Sequence, residues 1–170
     1  MIRKKLPLLT FAVAAVLALP AAAQQPLIDN YGDWSAFGGA SGGERTCYAA
    51  SLPKQEAGKY DKRGNTYVMV VHRPKSGEVG VVTVRAGYTY KKGSKVRFTV
   101  DGKTVQMFTD VDHAWAFDDK ADNQLVRMMR AGRELVVEGT SWRGTDTKDT
   151  YSLKGFTASY KAISKKCGVK

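Results

Sequence analysis

Apolar and polar residues alternate along most of this chain in short runs broken by turn-forming residues, the pattern of half-buried strands. The run from Val96 to Phe108 is the plainest case. Two alternating segments flank Asp101-Gly102, a pair that accepts the positive φ angles of a two-residue hairpin turn. Val96, Phe98 and Val100 should therefore share an apolar face with Val105, Met107 or Phe108. A second hairpin is written from Glu134 to Phe156. It begins as an alternating strand, passes through a polar turn from Arg143 to Thr150, and re-enters the interior at Tyr151, Leu153 and Phe156. Arg143, Thr145, Asp149 and Thr150 are expected to hold that turn by bonding to nearby main chain. Arg45–Ser51 and Val79–Val84 read as further strands, and the continuous run Tyr67–Val71 as a strand covered on both faces. Gly38 to Gly43 reads as a hairpin tip, and Pro53 to Gly64 as a basic loop.

The period changes to that of a helix twice. Asp118, Asp119 and Asp122 supply a cap and negative charge ahead of Leu125, Val126, Met128 and Met129, and Gly132 can end a helix of about ten residues. Phe156, Tyr160, Ile163 and Cys167 recur at one-face spacing near the C-terminus, with Gly168 placed to cap them. Trp34 is expected in the core. Many short strands with two helices predict a mainly β protein, an antiparallel β-sandwich or flattened barrel with one short internal helix and a C-terminal helix.

The first residues belong to targeting. Arg3, Lys4 and Lys5 precede an apolar stretch from Leu6 to Leu19, and Ala21-Ala22-Ala23 offers a small-residue cleavage site, the layout of a secretory signal peptide over residues 1–23. The mature chain should then have a flexible lead-in over 24–30 and a single β-rich domain over 31–170. It has no second apolar run of spanning length, so a periplasmic or secreted protein without a transmembrane segment is expected.

Charge narrows the partner class. The 27 lysines and arginines include the three of the leader, so the mature chain keeps a formal excess of about +8 over its 16 acidic residues. Outside the cytoplasm, such a charge suits an acidic glycan, lipopolysaccharide phosphate or an anionic membrane surface rather than nucleic acid; an envelope protein is a further candidate partner. Lys59, Lys62, Arg63, Lys91, Lys92 and Lys95 are the candidate patch for an anionic partner. The two cysteines, Cys47 and Cys167, are read as one disulfide, since a metal pair would need closer spacing and a reactive thiol an activating neighbour. Candidate chemistry is sparse. Asp110-Val111-Asp112-His113 sets carboxylates beside an imidazole and supports an alternative reading as a small hydrolase or metal-dependent enzyme centred on His113, although adjacent residues rarely converge on one atom. Serines lack a nucleophile-elbow context, and Asp146 and Asp149 lack the ligand ring of a calcium loop. The expectation is a non-enzymatic protein without a cofactor.

Tyr31-Gly32-Asp33-Trp34, Cys47-Tyr48, Gly87-Tyr88, Val100-Asp101-Gly102, Ala114-Trp115 and Gly139-Thr140-Ser141-Trp142-Arg143-Gly144-Thr145 run in this order toward Asp149-Thr150-Tyr151-Ser152-Leu153-Lys154-Gly155-Phe156 and a terminal Cys167. Together they resemble the invasion-associated locus B family of alphaproteobacterial envelope proteins. That resemblance implies a secreted or periplasmic β-rich protein, in a family named for a member linked to host-cell invasion. It implies no reaction and carries over no catalytic residue.

Overall fold

The Asp101-Gly102 turn has φ values of 43° and 84°, which closes a tight hairpin between β7 (Lys95–Val100) and β8 (Lys103–Asp110). Val96 faces Met107 and Phe98 faces Val105 in register, and Val96, Phe98, Val100 and Met107 are buried. The Asp101 carboxylate also accepts hydrogen bonds from the backbone of Arg133 (3.1 Å) and Glu134 (3.2 Å). The turn thereby positions the start of β10 (Glu134–Thr140), which pairs with β7 on one side and with β11 (Asp146–Ser152) on the other.

The computed structural model describes residues 25–41 and 43–170; the expected signal peptide over 1–23 lies outside them. The remaining strands are β1 (Leu27–Tyr31), β2 (Trp34–Ser41), β3 (Glu44–Ser51), β4 (Gln55–Gly58), β5 (Tyr67–Arg73), β6 (Glu78–Arg85) and β9 (His113–Trp115). All eleven form one antiparallel sheet in the order β1-β2-β3-β5-β6-β9-β8-β7-β10-β11-β4. The protein is thus mainly β and antiparallel, as expected, in the form of one sheet rolled on itself without closing. Its curl follows from connectivity. Only Leu52–Lys54 join β3 to β4 at the far edge, and Lys54 donates to the Thr150 carbonyl at 2.7 Å. Near the same seam the Trp34 indole, buried inside the roll, donates to the Ser152 carbonyl at 3.0 Å.

Three expectations are corrected. The lead-in over 24–30 is ordered from Leu27 as β1, paired with β2. Gly38 to Ser41 continue β2 instead of forming a tip; a Cβ on Gly38 would come within 2.8 Å of Lys166 Cγ and 3.1 Å of the Cys47 sulfur, so close approach explains a glycine there. The loop from Pro53 to Gly64 contains β4, an exposed edge strand of four residues.

Two helices cover the open side of the roll. Helix α1 (Asp119–Ala131) is capped by the Asp118 side chain, which accepts from Ala121 N, and buries Leu125, Val126 and Met129. Helix α2 (Phe156–Cys167) buries Phe156, Ile163 and Cys167 on the face its spacing predicts. Trp34 meets the Phe156 ring edge-on at 4.8 Å. Cys167 joins Cys47 of β3 in a disulfide that closes a sequence separation of 120 residues, with Cα atoms 6.0 Å apart. The last helix is therefore tied to one of the first strands.

Two buried polar groups seat the helices. His72 of β5 is fully buried. Its Nδ1 accepts from Gly80 N at 2.9 Å, so the ring is the Nε2–H tautomer and donates to Ser164 Oγ of α2 at 3.1 Å. Gly80 is the extra residue of a bulge in β6, at φ 75°. Burial pulls the His72 pKa down to about 4. Asp122 of α1 accepts from Val82 N at 2.8 Å, and its burial lifts its pKa to about 6.

These shifts have opposite signs. His72 stays neutral in the fold, so its contribution is complete above about pH 6.5 and is lost as pH falls toward 4. Asp122 is charged in the fold only above about 6, so its penalty disappears as pH falls toward 3.8. Asp122→Asn keeps an acceptor for Val82 N and should be more stable than the native chain at pH 7 by on the order of 2 kcal/mol, with the advantage gone below about pH 4. Urea unfolding midpoints across that range provide the check. Replacing both cysteines by alanine should cost about 4 to 5 kcal/mol in the chain-entropy model, read from the same titrations at neutral pH.

Candidate functional site

Arg63, in the segment between β4 and β5, directs its side chain inward. Its two terminal nitrogens each donate to a carboxylate oxygen of Asp149 in β11 at 2.6 Å, and Nε donates to the Ala86 carbonyl at 2.6 Å. The side chains are 3% and 2% exposed. Tyr88 and Tyr60 lie against the guanidinium with ring centres 5.1 and 5.4 Å away, and the Tyr88 hydroxyl bonds Thr147 Oγ1 at 2.6 Å. Burial works against the charge on Arg63, but Asp149 outweighs it and holds the guanidinium firmly protonated. Burial lifts the Asp149 carboxyl above its ordinary range, opposed by the same guanidinium. The bridge ties the 59–64 segment, the 86–90 segment and β11 together. It also corrects two assignments: Arg63 is not part of an exposed patch, and Asp149 is a buried strand residue rather than a turn residue. Thr150 likewise belongs to β11.

On this support lies a groove of about 550 Å³. Lys59, Tyr60, Asp61 and Lys62 form one wall, and Ser141, Trp142, Arg143 and Thr145 the other, with Tyr88 and Thr147 between them. The second wall is the actual turn between β10 and β11. Ser141 N donates to the Thr145 carbonyl at 2.8 Å, and Thr145 N returns a bond to Ser141 Oγ at 3.1 Å. Trp142 N donates to the Thr89 carbonyl at 2.9 Å, which holds the turn against the 86–90 segment. The Trp142 residue is 62% exposed, and the Arg143 guanidinium lies 5.0 Å from its ring centre. Lys59 and Lys62 are exposed across the groove.

Lys91, Lys92 and Lys95 sit on the other side of the same hairpin tip. Lys91 N donates to the Thr140 carbonyl at 2.9 Å. Lys91 and Lys92 flank a shallow hollow with Gly144 and Asp146, and the Lys95 ammonium lies 5.5 Å from the Phe117 ring centre. Five of the six proposed cations thus gather at one end of the sheet, in two groups divided by residues 141–145. Arg143 joins the first group through its position over the Trp142 ring.

His113 opens β9. Its Nδ1 lies 2.6 Å from Asp112 Oδ1, so the adjacent carboxylate reaches the imidazole, as the Asp112-His113 pair suggested. Asp112 Oδ2 accepts from Arg85 Nε at 2.9 Å. Burial pushes the Asp112 carboxyl up, but Arg85 and His113 outweigh it and hold it below the usual range. The other imidazole nitrogen faces the Tyr67 hydroxyl at 3.4 Å, and Trp115 stacks on the ring at 5.4 Å. Asp110 ends β8 with an exposed side chain. Among the described residues, no three of His, Cys, Asp and Glu gather as metal ligands would.

Arg63→Ala should leave the Asp149 carboxylate buried without its partner and cost about 3 to 5 kcal/mol. Arg63→Met with Asp149→Leu should cost less than the single change, because no charge then remains inside. Denaturation of the three proteins separates these outcomes.

The sequence model of the invasion associated locus B protein family matches residues 34–164. A crystal structure of invasion associated protein B from Bartonella henselae is similar in fold, with a TM-score of 0.56 and 19% identity, covering 79% of this chain and 92% of that one. No curated protein matches the chain. With most of the described β roll inside the matched span, this chain belongs to the invasion associated locus B family.

Proposed function

We propose that this protein is a non-catalytic binding module of the cell envelope, periplasmic or secreted, that holds an acidic polymer at the groove beside Trp142. The observation that carries this reading is an exposed indole with Arg143 stacked on it and Lys59 and Lys62 opposite, all mounted on the buried Arg63–Asp149 bridge. An exposed aromatic ring gives a sugar ring an apolar face to rest on, and the cations answer its carboxylates, sulfates or phosphates. Lipopolysaccharide and acidic host glycans share that chemistry. An oxidising compartment is supported by the disulfide, and no helix among the described residues is long and apolar enough to cross a membrane. The hydrolase or metal-enzyme reading rests on the Asp112–His113 contact. It requires His113→Ala to abolish a hydrolytic activity or remove a bound metal.

Retention on immobilised heparin and lipopolysaccharide tests the binding reading. The native chain should elute with moderate salt, since screening shortens to about 8 Å near physiological ionic strength. Trp142→Ala and the pair Lys59→Gln, Lys62→Gln should each elute earlier while unfolding at the native midpoint. Elution that ignores salt, or that is unchanged in both variants, overturns it.

A further inference from the structure

Helix α2 and the residues after it carry no acidic side chain. From Phe156 to Lys170 the chain has Lys161, Lys165, Lys166 and Lys170 with no aspartate or glutamate, so this one stretch supplies about half of the formal excess of the mature chain. All four lysines are exposed, and none forms an ion pair among the described residues. Lys165 and Lys166 answer the helix dipole in the last turn. Lys161 does not; it stands at i, i+4 from Lys165, a like-charge spacing that weakens a helix. Mixed signs would serve solubility as well, so folding and solvation leave a face of one sign unexplained.

The second half of α1 continues that face. The Thr157 hydroxyl donates to the Arg130 carbonyl at 3.2 Å, and the Arg130 guanidinium lies 6.0 Å from the ring centre of Tyr160, the residue before Lys161. Arg127 is exposed one turn earlier. At the far end of α2, Arg45 of β3 donates to the Lys166 carbonyl at 3.5 Å.

Neighbouring acids do not balance these cations. Helix α2 packs against α1, β1, β2, β3 and β5. Asp29 of β1 is exposed there. Asp118 and Asp119 stand at the start of α1, more than two turns from Arg127, with the exposed Lys120 beside them. Asp122 is buried against Val82 N. Glu44 alternates with Arg45, so it lies on the other face of β3, where it bonds the Ser76 hydroxyl. Beyond the end of α1, Asp101 is matched by the exposed Arg133, and Glu134 lines a hollow with Gln55 and Lys148. Asp33 pairs with Lys54.

Between the cations the surface is low. Ala158, Ala162 and Gly168 separate the lysines, and none of the large exposed apolar side chains among the described residues belongs to either helix. A sugar polymer would find no ring to rest on. Long, flexible cations above a smooth convex layer suit anions that move to meet them, as lipid headgroups do by lateral diffusion, and each such cation adds attraction without a shaped pocket.

We propose that this two-helix face, centred on Arg127, Arg130, Lys161, Lys165 and Lys166, is a peripheral electrostatic docking surface for an anionic phospholipid bilayer. The Trp142 groove lies at the tip of the β10–β11 hairpin, while α2 begins just beyond its base, roughly 20 Å of strand away. The two surfaces share no residue, so either reading stands without the other.

Co-sedimentation of the disulfide-bonded chain, without residues 1–23, with phosphatidylglycerol–phosphatidylethanolamine vesicles tests this. Binding is expected to weaken steeply as salt rises and to be absent with pure phosphatidylcholine vesicles. Changing Lys161, Lys165 and Lys166 together to glutamine should reduce partitioning by at least about tenfold, since each cation near an anionic surface contributes a factor of roughly five. The same three changed to arginine should bind as the native chain does, and so should Lys59→Gln with Lys62→Gln. All these side chains are exposed, so each variant should unfold at the native midpoint. Failure of the native chain to sediment with the anionic vesicles overturns the proposal. So does binding undiminished in the glutamine variant, or lost in the Lys59 and Lys62 variant instead. A glutamine variant that keeps its vesicle binding but leaves immobilised heparin early gives the face to a soluble acidic polymer and likewise overturns it.

Discussion

The end of the molecule that carries the candidate groove depends on one buried ion pair. Arg63 and Asp149 are almost wholly withdrawn from water, and such a pair holds only when every donor and acceptor is well placed. Here two parallel bonds, a third to the Ala86 carbonyl and two flanking tyrosine rings meet that condition. The energetic gain from a buried pair is modest, because desolvation offsets much of the attraction. Its larger effect is geometric: a planar fork satisfied by one carboxylate and one carbonyl admits a single relative placement of three chain segments. Those segments are one wall and the floor of the groove, and the other wall, residues 141–145, joins the floor through the bond from Trp142 N to the Thr89 carbonyl.

The opposite side of the roll is held by different means. Helix α2 lies across the first strands with its disulfide, its buried Phe156 and Ile163, and the hydrogen bond from His72 to Ser164. These are constraints of covalent closure, apolar burial and a neutral hydrogen bond, beneath a helix face that exposes Lys161, Lys165 and Lys166. The candidate groove lies at the loop-bearing end, where rigid strands hold residues 59–63, 91–95 and 141–145 in place.

Surface chemistry at that end divides at the β10–β11 turn. On one side an indole and a guanidinium face two lysines across a groove; on the other, valine and phenylalanine side chains stand among three lysines. Both sides carry exposed lysines, offset on the second by the exposed Asp110, Asp118, Asp119 and Asp146. The apolar residues differ in arrangement, a single open ring against a cluster of rings and a turn-tip valine.

Local rules made much of the fold legible. The Asp101-Gly102 hairpin, the cap at Asp118 and the face shared by Phe156, Ile163 and Cys167 follow from short-range pattern, because turn geometry and side-chain period are set by neighbours within a few residues; the pairing of Cys47 with Cys167 was legible because the chain has two cysteines. Local pattern failed at Arg63, Asp149 and Gly38. A basic loop residue and an acid near a turn read as solvated unless their partner is known, and here the partner is 86 residues away; the one local hint was Tyr60, three residues before Arg63. Gly38 read as flexible when it is a strand glycine pressed by Cys47 and Lys166. The sequence by itself determined strand and helix periods and the class of the fold. Tertiary structure alone decided which charges are buried, which tryptophan is exposed and which loops meet, since those depend on contacts between residues far apart in the chain, where no local period carries the information.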